Sequence, residues 1–194
     1  MRKDITIAML VALFSLCMFS CSEEDGETGE FDNWQERNET YFNGLYGKAK
    51  GSTTGTWRAY HSWSLDQSAA TDADDYIVVE VLNEGAGTES PIFSDKVAIH
   101  YRGNLMPTAS YSSGYQFDTS WFGDYNLELM KPVQARVSTF INGFQTALMK
   151  MYVGDRWRVY IPAALGYGAS TSNSSIPAYS TLVFDITLVS FENS

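Results

Sequence analysis

Apolar residues from position 76 onward occur in short runs that alternate with polar residues or are rich in β-branched side chains, as is typical of β-strands. The first run ends at the turn-forming cluster 83–87. In another, Val97, Ile99 and Tyr101 share one face, with Ala98 and His100 on the other. The pattern predicts strands at residues 76–82, 95–101, 156–161 and 182–188.

One segment in this region has helical spacing instead. Its apolar positions lie three or four residues apart, at Phe144, Ala147, Leu148 and Met151. We expect the helix to begin near Gly143 and to stop at Gly154, because glycine readily adopts the left-handed conformation that closes a helix. A strongly bent antiparallel β-sheet wrapped around one short α-helix, an α+β fold, is the simplest architecture.

A second helical pattern precedes the sheet. Apolar residues recur at helical spacing from Trp34 to Ala49, and either Asp32 or Asn33 is available as the N-cap. The glycines of the segment 51–55 interrupt the pattern. We therefore predict a helix over this stretch.

Trp57, Ala59, His61, Trp63 and Leu65 alternate with their neighbours, which predicts a short strand or an extended arm. Residues 33–75 are thus assigned to an N-terminal helix and aromatic arm, and residues 76–194 to the main domain. The aromatic side chains of the first section need a surface to cover. Either they pack on the following domain of the same chain, or they form a homodimer contact.

The N-terminus has the layout of a secretory signal. Two basic residues precede an apolar run at 5–19, too short for a spanning helix, and Ser20 and Cys21 follow it. Residues 18–21 resemble a bacterial lipobox, in which the cysteine becomes the lipidated N-terminus. We expect residues 1–20 to be a lipoprotein signal peptide and Cys21 the lipid attachment site. The alternative is a plain cleaved signal followed by an incidental cysteine.

Residues 21–32 contain six acidic side chains and no basic one. Such a run repels itself and stays extended, so we interpret it as a tether. It also resembles the acidic signal that sends some Gram-negative lipoproteins to the cell surface. The expected location is therefore the bacterial outer membrane, on its periplasmic side or on the cell surface.

Composition excludes several other classes of protein. The formal charge of the 194 residues is −10, which argues against nucleic-acid binding. Two cysteines and two histidines leave little for a disulfide scaffold or a metal site, so we expect no metal and no cofactor. Much of the acidity belongs to the tether, because residues 33–194 carry 11 basic and 16 acidic side chains.

Several segments stand in the order known from one family: Val97–Leu105, Phe117–Ser120, Phe140–Phe144, Ala147–Gly154, Ile161–Gly168 and Ile176–Asp185. Together they resemble the FKBP-type peptidyl-prolyl cis–trans isomerases over roughly residues 76–194. The resemblance implies an FKBP-like fold and an enzyme that rotates X–Pro bonds. It does not extend to residues 33–75.

This chemistry needs no nucleophile and no metal, because rotation breaks no bond. The barrier is amide resonance, about 18–20 kcal/mol. Removing the imide from water weakens the charge-separated resonance form, and an apolar bowl with one or two hydrogen-bond donors suits that task. The lack of a catalytic triad therefore does not argue against an enzyme.

The resemblance also assigns the site residues. Asp118, Tyr167 and Tyr101 are implied to be catalytic, with the Tyr167 hydroxyl and the backbone N–H of Ile141 donating to the ligand. Substrate-binding positions are Phe117, Phe140, Ile141, Phe144, Val133, Ile176 and Phe184. In the alternative reading of the aromatic residues, they simply pack in the core of the sheet.

The chain departs from the family pattern at three places. Residues 106–116 form an enlarged loop, and Phe144 stands where many members have tryptophan. The stretch 121–130 resembles an insertion. The next residue along the chain that forms the wall of the proposed binding bowl is therefore either Leu127 or Val133. Val133 is chosen because its segment fits the family strand better.

The main hypothesis is a lipid-anchored isomerase that acts on proline-containing polypeptides among exported or surface proteins. Macrolide inhibitors are implied as ligands, and the membrane as a partner through the N-terminal lipid. One alternative is a non-catalytic binding or chaperone lipoprotein of the same fold. Another is a surface carbohydrate-binding module, suggested only by the tryptophans and tyrosines.

Overall fold

The computed structural model describes residues 29–171 and 175–194. The expected signal peptide, Cys21 and positions 21–28 of the tether therefore lie outside the described residues. Residues 33–194 form one compact unit. In the part of the chain that the structure describes, no helix is long and apolar enough to cross a membrane.

Within the described residues, seven antiparallel strands form a single sheet, in the spatial order β1-β2-β6-β7-β3-β4, with β5 also paired to β3. The strands are β1 (Trp57–His61), β2 (Tyr76–Asn83), β3 (Lys96–Leu105), β4 (Gln116–Thr119), β5 (Val133–Arg136), β6 (Arg156–Ile161) and β7 (Leu182–Glu192). The predicted α+β class is confirmed, and all four predicted strands are present.

The short helix α2 (Asn142–Leu148) packs in the core formed with one face of the sheet. Phe144, Ala147 and Leu148 are buried there, as their spacing predicts. The helix ends before Gly154, which has a left-handed φ of 93° but lies in the turn that precedes β6. The predicted C-terminal boundary of this helix was therefore wrong, because Met149 already caps it.

The other helix, α1 (Trp34–Lys50), confirms the N-terminal prediction. It follows Asn33, whose side chain makes no capping hydrogen bond, and it ends at Gly51. Phe42 is buried on the opposite face of the sheet from α2, in a cluster with Val78 and Tyr160. The sheet is therefore covered on both faces.

The aromatic residues of the N-terminal section pack on the same chain, one of the two alternatives that the sequence leaves open. Trp57 stacks on Tyr160 with ring centres 5.8 Å apart, and Tyr41 meets the same ring edge-on at 6.3 Å. Because β1 pairs with β2, the sheet begins at residue 57 rather than at residue 76. The homodimer contact stays a prediction.

Hydrogen bonds also join α1 to the segment that leads into β7. The Trp34 indole N–H donates to the Ser180 hydroxyl at 3.0 Å, and the backbone N–H of Thr181 donates to the Asn38 side chain at 2.7 Å. Asn38 is 1% exposed, and its own amide donates back to the Trp34 carbonyl. This buried network makes α1 an integral part of the domain.

Candidate functional site

A cavity of about 330 Å³ opens between the inner face of the sheet, α2 and the loop that contains Tyr167. Aromatic and aliphatic side chains form most of its wall, and a few polar groups lie among them. The lining residues are Tyr101, Phe117, Asp118, Thr139, Phe140, Ile141, Phe144, Tyr167, Ile176 and Phe184. Apolar concave sites with few polar groups are the usual form of ligand sites.

Phe144 forms the floor of the cavity and is 2% exposed. Its ring stacks on Phe140 with centres 4.6 Å apart and meets the edges of Phe184 at 5.0 Å and Tyr101 at 6.0 Å. Edge-to-face and offset contacts of this kind stabilise aromatic clusters beyond the effect of burial alone. The floor and two walls therefore support one another.

A glycine in β3 makes room for two of the walls. A Cβ atom added at Gly103 would lie 2.6 Å from both the Phe117 and Phe184 rings. These two rings meet edge-on, with centres 5.5 Å apart. Only glycine at this position allows both rings to reach the cavity without displacement.

The polar part of the wall is the pair formed by Tyr101 and Asp118. The Tyr101 hydroxyl donates to one carboxylate oxygen at 2.8 Å, and the backbone N–H of Thr119 donates to the other at 2.8 Å. Burial, followed by the hydrogen bond to Asp118, raises the pKa of Tyr101 to about 12. The phenol is therefore neutral near neutral pH and remains a donor to the carboxylate.

Two further donors lie at the rim. The hydroxyl of Tyr167, which is 39% exposed, and the backbone N–H of Ile141 make no hydrogen bond within residues 29–171 and 175–194. Tyr167 lies just after a 3₁₀ turn (Ala163–Leu165), and the N–H of Gly168 donates back to Ala163. Both donors are therefore available to a ligand carbonyl.

All of the predicted catalytic and substrate-binding residues except Val133 line the cavity. Val133 opens β5 opposite Ile99 and is 37% exposed. The chain reaches the cavity at the end of the 3₁₀ turn Val137–Thr139 that follows β5, so Val133 does not line it. Thr139 lines the cavity instead, and its position next to the predicted residue Phe140 was the signal that could have identified it.

The insertion after Ser120 covers the other face of the sheet. The Trp121 ring makes an edge-to-face contact with His100, whose side chain lies on the face of β3 that points away from Tyr101. The Tyr125 hydroxyl lies 2.6 Å from the Thr187 hydroxyl. In the enlarged loop 106–116, Tyr111 and Tyr115 are exposed and contact each other rather than the cavity. Neither of these two stretches contributes a residue to the lining of the cavity.

Other clefts fit catalysis by desolvation less well. A cleft of about 480 Å³ lies on the outer face of the sheet and contains Arg102, Arg158 and Asp185. Its ion pair between Arg158 and Asp185 keeps that surface strongly polar. Within the described residues, no group of three or more His, Cys, Asp or Glu side chains is placed to hold a metal ion.

The sequence is similar to those of known proteins of one family. A family model described as FKBP-type peptidyl-prolyl cis–trans isomerase matches residues 87–189. The chain is 29% identical over 191 residues to the macrophage infectivity potentiator of Trypanosoma cruzi, covering 98% of this chain and 84% of that protein. It is 36% identical over 109 residues to the FKBP-type 22 kDa peptidyl-prolyl cis–trans isomerase of Escherichia coli K12, covering 56% of this chain and 47% of that protein.

Solved structures agree on the fold. The crystal structure of FkpA from E. coli aligns with a TM-score of 0.57 at 23% identity, over 98% of this chain and 73% of that one. A peptidyl-prolyl cis–trans isomerase from Pseudomonas syringae pv. tomato aligns with a TM-score of 0.56 at 23% identity, over 81% of this chain and 96% of that one. The chain spans about half the length of its E. coli K12 and Coxiella burnetii sequence relatives.

Proposed function

The chain belongs to the FKBP-type peptidyl-prolyl cis–trans isomerase family, and from this we propose that its aromatic cavity binds X–Pro segments of polypeptides and accelerates their cis–trans isomerisation. One observation carries the proposal. A cavity with aromatic walls has two hydrogen-bond donors, the Ile141 N–H and the Tyr167 hydroxyl, that no described protein group uses.

The cavity suits the reaction for a physical reason. The planar imide is stabilised by a resonance form with separated charge, and water favours that form. Between Phe144, Phe117 and Phe184 the imide loses water, so the charge-separated form is weakened and the bond rotates more easily. Thr139 and Ile176 complete a wall that holds the proline ring while the preceding carbonyl turns.

The polar groups then hold the rotating carbonyl. Ile141 and Tyr167 donate to ligand carbonyls from the rim, where a preorganised donor needs no rearrangement. Asp118 accepts from Tyr101 and from the Thr119 backbone, which fixes the carboxylate and the phenol in place. The pair shapes one side of the cavity without supplying a proton.

Apolar residues before proline suit these walls best, and the same cavity is the site we propose for macrolide inhibitors. The carbohydrate-binding alternative has less support. Trp34, Trp121 and Trp157 are buried, and Trp57 is stacked between Tyr160 and Lys48. Only Trp63 among the tryptophans of the described residues is exposed, at 38%, and one partly packed ring is a poor platform for sugars.

The cellular setting of this activity is also a proposal. The sequence layout at residues 1–32 supports lipidation at Cys21 and an acidic tether that holds the domain away from the outer membrane. Exported or surface polypeptides would then be the substrates. Labelling of the wild-type chain with a radioactive fatty acid, lost in Cys21→Ala, tests the anchor; equal labelling of both chains would contradict it.

A protease-coupled assay with a proline-containing peptide tests the catalytic proposal. The purified protein should raise the isomerisation rate above the uncatalysed one, and Tyr167→Phe should lower kcat/KM. Tyr179→Phe is the matched control, because Tyr179 is equally exposed at 39% but does not line the cavity. A wild-type rate equal to the uncatalysed rate would contradict the catalytic proposal. Equal loss of kcat/KM in both variants would contradict the specific role of the Tyr167 hydroxyl.

A further inference from the structure

The end of the aromatic arm lies directly against the helix that carries the cavity floor. Ser62 donates from its hydroxyl to the Asn142 side chain at 2.7 Å, and the Asn142 amide donates to the Ser64 hydroxyl at 2.8 Å. The backbone N–H of Trp63 donates to the Thr146 hydroxyl at 3.2 Å. The N-terminal section therefore reaches the cavity side of the molecule at this point.

The central contact joins Trp63 to Gln145. The indole N–H of Trp63 donates to the Gln145 side-chain oxygen at 2.8 Å. An indole nitrogen can only donate, so it requires the oxygen of the amide to face it. The Gln145 nitrogen consequently faces the other way, where it donates to the backbone carbonyls of Phe140 at 2.5 Å and Ser138 at 3.3 Å.

This arrangement fixes the orientation of the peptide group between Phe140 and Ile141, two residues that line the cavity. The carbonyl of Phe140 and the N–H of Ile141 belong to the same planar trans peptide, in which they point in opposite directions. Holding the carbonyl toward Gln145 therefore turns the Ile141 N–H away from Gln145. A hydrogen bond to the carbonyl also polarises the peptide and strengthens its N–H as a donor.

We propose that Trp63, acting through Gln145, positions the Ile141 N–H that binds the substrate carbonyl. The inference rests on the proposed function of the cavity and adds a role for the N-terminal arm in it. Trp63 does not line the cavity, so it is a positioning residue rather than a catalytic one. Its ring is held from another side by Phe93, with centres 4.8 Å apart.

The burial of Gln145 makes the orientation of its amide consequential. Its side chain is in the protein interior, with the residue 8% exposed, so water does not readily replace a lost partner. Without the indole donor, the amide oxygen would be left buried and unsatisfied, a state that proteins avoid. The amide would then move toward another donor and release the Phe140 carbonyl.

Trp63→Phe tests the proposal, because phenylalanine keeps a smaller aromatic ring against Phe93 and has no N–H to donate to Gln145. We expect kcat/KM to fall about three- to tenfold, the range for one lost neutral hydrogen bond. Trp57→Phe is the matched control: it makes the same chemical change in the same arm, but Trp57 packs on Tyr160, away from the cavity. It should retain wild-type kcat/KM.

A double-mutant cycle with Gln145→Met separates positioning from general loss of stability. If Trp63 acts through Gln145, Trp63→Phe lowers kcat/KM in the wild-type background and has no further effect in the Gln145→Met background. Fully additive losses would overturn the proposal. So would a Trp63→Phe variant with the same kcat/KM as Trp57→Phe.

A second measurement does not depend on catalysis. In nuclear magnetic resonance spectra of the protein without ligand, the Ile141 amide resonance should shift in Trp63→Phe and in Gln145→Met and stay in place in Trp57→Phe. An unchanged Ile141 resonance in both cavity-side variants would refute the positioning role even if the wild type proved inactive. An inactive wild type with shifted resonances would refute the isomerase proposal alone.

Discussion

The hydroxyl of Tyr101 lies 2.8 Å from a carboxylate oxygen of Asp118 and donates a hydrogen bond to it. The two residues come from neighbouring strands, β3 and β4, which pair beside the cavity. Because the other carboxylate oxygen accepts from the Thr119 backbone, the acid is held at both oxygens. The pair is thus a fixed polar edge on a cavity lined mainly by aromatic and aliphatic residues.

Removing the acid should weaken catalysis. Asp118→Ala leaves the Tyr101 hydroxyl without its acceptor, and we expect kcat/KM in the proline-peptide assay to fall about tenfold, in line with the loss of a hydrogen bond to a charged group. Asp118→Asn keeps an oxygen acceptor and should lose less. Wild-type kcat/KM in Asp118→Ala would show that the pair is not needed for catalysis.

The buried floor of the cavity can be tested against an equally buried residue elsewhere. Phe144→Ala and Phe42→Ala each remove a phenylalanine that is at most 2% exposed, and each should lower the free energy of unfolding by about 3–5 kcal/mol. Only Phe144→Ala should abolish peptide isomerisation at a temperature where both variants are folded. Thermal unfolding followed by circular dichroism shows where both variants are folded, and the isomerisation rate is measured at that temperature. Equal residual activity in the two variants would mean that Phe144 contributes only to the packing of the core.

The hydrogen bonds between α1 and the segment before β7 should contribute to the stability of the whole domain. Asn38→Ala leaves the buried N–H of Thr181 without a partner, so the free energy of unfolding should fall by about 1–3 kcal/mol. Gln35→Ala on the exposed side of α1 should change it by less than about 0.5 kcal/mol. Urea unfolding followed by tryptophan fluorescence measures both. A separate early transition in Asn38→Ala would instead show that α1 unfolds by itself.

Stability should fall in alkaline solution. Burial raises the pKa of Tyr41 and of Tyr101 from 10.0 to about 12 and raises that of Tyr160 as well. Below pH 10 the phenols are protonated in both states; between pH 10 and pH 12 the unfolded chain loses protons that the folded chain retains. The contribution of these phenols to the free energy of unfolding is therefore fully present below pH 10 and is lost as the pH rises above it.

Urea unfolding at several alkaline pH values measures this decline, and Tyr41→Phe supplies the control. With one shifted phenol removed, the free energy of unfolding should depend less steeply on pH above 10 than in the wild type. Tyr41 lies outside the catalytic cavity, so isomerase activity at neutral pH should not change. Identical slopes in the two proteins would contradict the assignment to Tyr41.

The regular elements were predictable because their side chains repeat with a period. The spacing from Trp34 to Ala49 and the alternation in β3 depend only on which residues face the core, so the helix and strand followed from the sequence. Alternation does not report what covers the second face of a sheet. The burial of His100 beneath Trp121 could therefore not be predicted.

Most of the cavity residues were predictable from the resemblance, and the failures have a common cause. The turn after β5 decides whether Val133 or Thr139 reaches the wall, and no periodic pattern encodes that turn. The hydrogen bond between Trp63 and Gln145 joins side chains 82 positions apart and leaves no trace in local spacing. Such contacts follow only from the three-dimensional arrangement of the chain.

The bond between Asn38 and Thr181 spans 143 positions, and this has a consequence for how the molecule is assembled. Helix α1 can complete its hydrogen bonds to Ser180 and Thr181 only after nearly the whole chain has been synthesised. Contacts of such long sequence separation close late and slow the search for the native state. Part of the aromatic face of α1 can pack earlier, on Tyr76 and Val78, but the buried hydrogen bonds that secure α1 form late in folding.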